Sequence, residues 1–197
     1  MTPMQKVFDV TRKELNASLI ERDQEIDIVL TALVAQEHCL FVGPPGTAKS
    51  MLADAVTDWL AGDKFSILVT KFTTPEEVFG PISVSGLKND HYKRITTGKL
   101  PEAEIAFIDE IFKSSSAILN TTLRILNERT YVNDDVTINC PLKLCVAASN
   151  EWPGEDAKEL GALFDRFLFR RAVRPVSSER GFDRLCLVDG PGRAHSQ

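Results

Sequence analysis

Gly43-Pro44-Pro45-Gly46-Thr47-Ala48-Lys49-Ser50 is the stretch that decides how this chain is read. An apolar run, Cys39-Leu40-Phe41-Val42, precedes it and a helix-patterned run follows it. Buried strand, glycine-rich loop, then helix is the setting a phosphate-binding P-loop requires. In such a loop, backbone N–H groups converge on phosphate oxygens, and the following helix adds its positive end. Lys49 would reach the outer phosphates and the Ser50 hydroxyl would hold Mg²⁺. Ala48 stands where a second glycine is usual, so the loop gives up backbone freedom there. Taken alone, the eight residues also fit a Pro/Gly turn that happens to precede a lysine.

The flanking pattern supports the P-loop. Met4, Phe8, Leu15 and Leu19 share a helical face, predicting a helix over 4–19. Ile26, Val29, Leu30, Leu33 and Val34 make a second apolar stripe, joined to the first by Ile20-Glu21-Arg22-Asp23. After the loop, Met51, Leu52, Ala55, Val56, Trp59 and Leu60 keep helical period up to a stop at Gly62. Short apolar runs at Cys39–Val42, Phe65–Val69, Ile105–Ile108, Leu142–Ala147 and Phe167–Val173 read as five strands. Such strands alternating with helices predict an α/β fold whose parallel sheet is covered on both faces.

Two segments interrupt the alternation. Residues 73–101 hold Pro75, Gly80, Pro81, Gly86, Gly98 and Pro101 with little helical period, as a functional insertion does. Within it, Ile82–Val84 and His91–Ile95 are expected to form the arms of a hairpin. In Thr130–Asn139, Tyr131-Val132 and Val136–Ile138 flank a turn at Asn133-Asp134-Asp135, a second hairpin. Ser177–Gly181 reads as a linker, and Asp189–Arg193 with the four residues after it as a loose tail.

Composition narrows the class. At 197 residues, 43% hydrophobic and 26% charged, the chain is long enough and apolar enough for one α/β domain with a core. A net charge of −5 and a pI near 5.3 argue against a nucleic-acid partner, which usually meets a basic face. Cys39, Cys140, Cys145 and Cys186 form no CxxC pair, and His38, His91 and His195 are not at zinc-ligand spacing. These read as reduced thiols in a cytoplasmic protein without a membrane span.

Three further positions carry chemistry. Ile105-Ala106-Phe107-Ile108 runs into Asp109-Glu110. Two acids at the carboxyl end of a buried strand sit where α/β sheets bind ligands. Asp109 would hold Mg²⁺ through its waters, and Glu110 would orient an attacking water as a general base. The pair also fits an ordinary helix N-terminus. Asn150 ends the fourth strand, where it would hold that water or simply make a turn. Arg166, Arg170, Arg171 and Arg174 make either a solvated basic face or a source of an arginine for a neighbouring subunit's γ-phosphate.

In order and spacing, Gly43–Ser50, Ile105–Glu110, Ala148–Asn150 and Leu163–Phe167 resemble an AAA+ ATPase. Phe72–Pro81, Leu100–Ala103 and Ile118–Arg129 narrow the resemblance to the MoxR branch, and within it to the RavA subgroup. The resemblance spans about residues 15–174 and accepts Ala48 before the lysine. It implies a P-loop AAA+ core with a five-stranded parallel sheet between helices, over residues 1–176. Residues 73–101 would include the helix-2 insert facing the pore of a ring, and 130–139 the hairpin before the sensor strand.

The resemblance also assigns roles. Gly43, Pro44, Pro45, Gly46, Thr47, Ala48, Lys49 and Ser50 would form the Walker A loop. Asp109 and Glu110 would be Walker B, Asn150 sensor 1, and Arg166 the arginine finger, with Arg170 a second candidate. The Ile20–Arg22 link would contact adenine. ATP and Mg²⁺ would be the cofactors and a hexameric ring the assembly. A von Willebrand factor A domain protein is an implied partner, and remodelling of a target protein the implied work. The family's helical lid, with its second sensor arginine, has no counterpart pattern in 177–197, and Arg180 and Arg184 do not restore it. The expectation is therefore an ATP hydrolase core without a lid. The alternative is a nucleotide-binding interaction module with little turnover. A P-loop kinase or a DNA helicase fits less well, since kinases do not need Asn150 and Arg166.

Overall fold

The structure, a computed structural model, describes residues 3–60, 62–152 and 158–187. Helices α1 (Pro3–Ser18) and α2 (Asp23–Ala35) lead into β1 (Cys39–Val42), the loop and α3 (Lys49–Trp59). Then follow β2 (Lys64–Leu68), two short helices α4 (Pro75–Phe79) and α5 (Val84–Leu87), and β3 (Ile105–Asp109). Helix α6 (Ser116–Glu128) precedes the hairpin β4 (Thr130–Asn133) and β5 (Val136–Asn139). The described chain ends with β6 (Leu144–Ser149), α7 (Lys158–Phe164), β7 (Phe169–Ala172) and α8 (Glu179–Leu187).

Five strands form one parallel sheet in the order β2-β3-β6-β1-β7. The sequence explains which strands are central. β1 and β6 are buried at every position and β3 at all but its last, in keeping with their unbroken apolar runs. The outer strands β2 and β7 alternate in exposure, as edge strands do.

Successive central residues feed two cores. Leu40, Val42, Ala106, Ile108, Cys145 and Ala147 face α6 and α4, through Ile118, Leu119, Ile125 and Phe79. Cys39, Phe41, Phe107, Val146 and Ala148 face α1, α2 and α3, through Leu15, Ile26, Val29, Leu52 and Val56. The period of two along each strand thus sorts side chains to opposite layers. No described helix is long and apolar enough to cross a membrane.

The insertion differs from the expected hairpin. Ile82 and Arg94 make a single antiparallel bridge, and α5 lies between them. Ser83 explains the switch: its hydroxyl accepts the Gly86 N–H at 3.1 Å and starts a helical turn where strand pairing would continue. Upstream, Thr74 and Glu77 form a capping box with Pro75 in the first turn, which sets α4. The insertion is fixed to the β4–β5 hairpin by buried Asn133. Its Oδ1 accepts the Arg94 N–H at 2.7 Å and its Nδ2 donates to Arg94 O at 3.0 Å.

The expected linker also differs. Glu21 accepts the N–H groups of Ser177 and Ser178 at 2.9 and 3.0 Å, and α8 starts there. The stretch Asp189–Arg193 and the residues after it lie outside the described residues.

His38, just before β1, ties the sheet to α6. It is buried: its Nδ1 accepts the Cys145 N–H at 3.0 Å, and its Nε2 lies 3.2 Å from Leu126 O and 2.7 Å from Arg129 Nη1. Burial and the nearby Arg129 guanidinium push its pKa down to about 4 from the usual 6.5. The unfolded chain therefore takes up this proton first. The stabilisation is full above pH 6.5 and is lost as pH falls toward 4. The shift corresponds to roughly 3 kcal/mol. Urea unfolding at pH 7 and at pH 4.5 should show a fall in stability that is smaller by about 2 kcal/mol in His38→Asn than in the wild type.

Candidate functional site

The loop after β1 starts under the sheet's control. Gly43 N–H donates to Ser149 O at 3.0 Å, tying the loop to the end of β6. A Cβ at Gly43 would run into the Val173 carbonyl, so the close approach requires glycine. Gly46 takes φ +79 with open space where a Cβ would go. Ala48 itself takes φ 62 and ψ 26, the left-handed conformation that glycine adopts freely. Pro44, Pro45 and Gly46 are exposed, while Thr47 and Lys49 are buried.

Lys49 is the centre of the site. Its Nζ lies 2.7 Å from Gly43 O, 3.0 Å from Pro44 O, 3.3 Å from Thr47 Oγ1 and 3.0 Å from Asn150 Oδ1. Burial lowers its pKa, and the charges of Asp109 and Glu110 act in the opposite direction.

Sheet register brings the acids to the same edge. β3 lies beside β6, so Asp109 and Glu110 leave the sheet next to Ser149 and Asn150. Asp109 Oδ2 accepts the Ser50 hydroxyl at 3.1 Å, and its Oδ1 accepts the Glu110 N–H at 2.9 Å. Glu110 takes φ 55 and begins a 3₁₀ turn over Ile111–Lys113. Its carboxylate is buried and accepts the Asn150 Nδ2–H, with Asn150 N at 3.4 Å. Lys113 Nζ is 3.3 Å from the same carboxylate. Asn150 thus bridges Lys49 and Glu110.

Lys113 was not among the expected residues. The signal was there: a lysine three residues after Glu110 returns to it when the chain turns in 3₁₀ fashion.

Arg166 is elsewhere. It is exposed after α7, and its side chain makes no hydrogen bond or ion pair among the described residues. Asp165 meets Arg170 instead, at 3.8 Å, and the Arg170 guanidinium lies over the Phe164 ring at 4.6 Å. Arg171 pairs with buried Glu25 at 2.8 Å, joining β7 to α2. The structure gathers Lys49, Ser50, Asp109, Glu110 and Asn150, and the Arg166 side chain bonds to none of them. Of the link, Ile20 and Arg22 are buried.

Loop, acids and strand-end asparagine on a β2-β3-β6-β1-β7 sheet define a P-loop AAA+ core. The match to solved structures agrees. A candidate ATPase from Cytophaga hutchinsonii superposes with a TM-score of 0.68 at 16% identity, covering 93% of this chain and 57% of that one. The Saccharomyces cerevisiae Hsp104-ADP complex gives 0.61 at 15%, covering 95% and 39%. The chain belongs to the MoxR family. Residues 5–189 match the family described as the MoxR domain in the MoxR-vWA-beta-propeller ternary systems.

Two uncharacterized proteins of Methanocaldococcus jannaschii are 46% and 49% identical over 190 and 180 residues, which is 96% and 91% of this chain. A structural protein of Acidianus two-tailed virus is 35% identical over 168 residues, 83% of this chain. The chain spans 50%, 48% and 27% of those relatives' lengths.

Ala48 and Gly43 should respond differently to exchange. Ala48→Gly relieves a left-handed alanine, a gain of about 1–2 kcal/mol set against a comparable loss of unfolded-chain restriction. Urea unfolding should therefore show stability unchanged or raised. Gly43→Ala meets the Val173 carbonyl and should lose more than about 2 kcal/mol in the same measurement.

Proposed function

We propose that this chain binds ATP with Mg²⁺ and hydrolyses it to remodel a partner protein. The observation that carries the reading is the convergence of Lys49, Ser50, Asp109, Glu110 and Asn150 at one sheet edge. The donor set fits the cofactor. Among the described residues no cluster of three or more His, Cys, Asp or Glu is placed to hold a metal. Mg²⁺ in nucleotide sites asks for less: one or two oxygen ligands from protein, with phosphate and water supplying the rest. Ser50 Oγ and Asp109 Oδ2, 3.1 Å apart, offer those oxygens. When bound, the metal would neutralise charge on the phosphates.

The chain's own residues supply the other roles. The loop's N–H groups and Lys49 bind phosphate oxygens. The Glu110 carboxylate accepts a proton from water, and Asn150 sets the orientation of that carboxylate. Turnover requires Glu110 to turn from Asn150 and Lys113 toward that water. This same engagement favours the second reading, a nucleotide-binding module with little turnover.

Exposed Arg166 suits a trans-acting finger in a hexameric ring, offered to the site of a neighbouring copy. A partner with a von Willebrand factor A domain fits the family's description. A position near the RavA subgroup rests on Phe72–Pro81, Leu100–Ala103 and Ile118–Arg129. We place the protein in the cytoplasm, in keeping with its unpaired cysteines.

Phosphate release and labelled-ATP binding test both readings. Lys49→Ala should abolish binding. Glu110→Gln should keep binding and lower phosphate release by about 10²-fold or more. Wild-type binding without phosphate release would leave the module reading, and no binding at all would remove both.

A further inference from the structure

Arg22 is a buried cation for which phosphate binding has no direct use. It lies at the end of the link between α1 and α2 and is 4% exposed. Its guanidinium donates to three backbone carbonyls in three segments. Nε reaches Thr47 O at 3.1 Å, Nη1 reaches Glu21 O at 2.6 Å, and Nη2 reaches Arg174 O at 3.0 Å. A planar fork with fixed donor directions can serve three acceptors at once, which an ammonium does less well.

The Thr47 contact constrains the loop. A trans peptide is planar, with its C=O and N–H on opposite sides. Among the described residues no peptide is cis. Holding Thr47 O against Arg22 therefore turns the Ala48 N–H away from Arg22. The same peptide plane sets φ of Ala48, which is 62. That value is costly for a residue with a Cβ. A hydrogen bond from a charged donor is stronger than one between neutral groups, and here it opposes the flip that would relax the alanine.

We propose that Arg22 is a positioning residue for phosphate recognition. It clamps the Thr47–Ala48 peptide so that an alanine keeps a glycine-like conformation and its N–H faces the phosphates of a bound nucleoside triphosphate. The inference rests on the reading of the loop as a phosphate cradle. It makes Arg22 and Ala48 a coupled pair: a glycine at 48 needs the clamp less.

The test is a double-mutant cycle on binding of a fluorescent ATP analogue with Mg²⁺, on folded protein well below melting. Arg22→Met should weaken binding about tenfold, equivalent to about 1.4 kcal/mol. In the Ala48→Gly background the same change should cost about threefold or less. Equal losses in both backgrounds, or none, overturn the clamp while leaving the cradle standing.

A nucleotide-free measurement separates the two ideas. The HN–Hα coupling and amide shift of Ala48 should leave their left-handed values in Arg22→Met, and their persistence overturns the clamp. A wild type that binds no nucleotide overturns the cradle, and with it the phosphate role of Arg22. If Arg22→Met does not fold, Arg22→Lys keeps the charge without the planar fork and is read in the same way.

Discussion

A strand buried on both faces has no place for an unpaired charge along its length. This constraint organises the molecule. β1, β3 and β6 are sealed between two helical layers, so their chemistry is confined to the residues at and just past their carboxyl ends. In-register parallel pairing then brings those ends together, with Val42 opposite Ser149 and Ile108 opposite Ala147. Gly43, Asp109 and Asn150 become neighbours through this register.

Lys49 shows what such a setting demands. A buried ammonium is tolerated only where dipoles and counter-charges replace water. Two loop carbonyls, a hydroxyl and the Asn150 amide surround it, with Asp109 and Glu110 close enough to oppose the loss of its charge. The acids are compensated in turn. Asp109 accepts from a hydroxyl and an amide, and Glu110 from Asn150 and Lys113. The site is a set of mutually dependent charges in which removing one member exposes another.

The most legible parts were those written in local pattern. The five strands fell within a few residues of their predicted places, because their apolar runs have no competing period. That Gly43–Ser50, Asp109-Glu110 and Asn150 would meet was readable from their place at strand ends. What escaped depends on side chains reaching back to the main chain. Ser83 turned an expected strand arm into α5, and Glu21 gathered Ser177 and Ser178 into the start of α8 where a linker was expected. Lys113 and Arg22 act through contacts made by a tight turn and by chain segments far apart in sequence, which no periodicity encodes.

Asn133 has a consequence for how this surface can evolve. Its amide reads the N–H and C=O of Arg94, atoms that every non-proline residue offers. This part of the attachment is held by main chain, and His91 and Arg94 add side-chain contacts to Asp134 and Glu76. Val84, Leu87 and Tyr92, all exposed, can be exchanged without loosening that attachment. A lineage can retailor the outer face of the insertion while Asn133 itself stays fixed, since few other side chains both donate and accept in one plane.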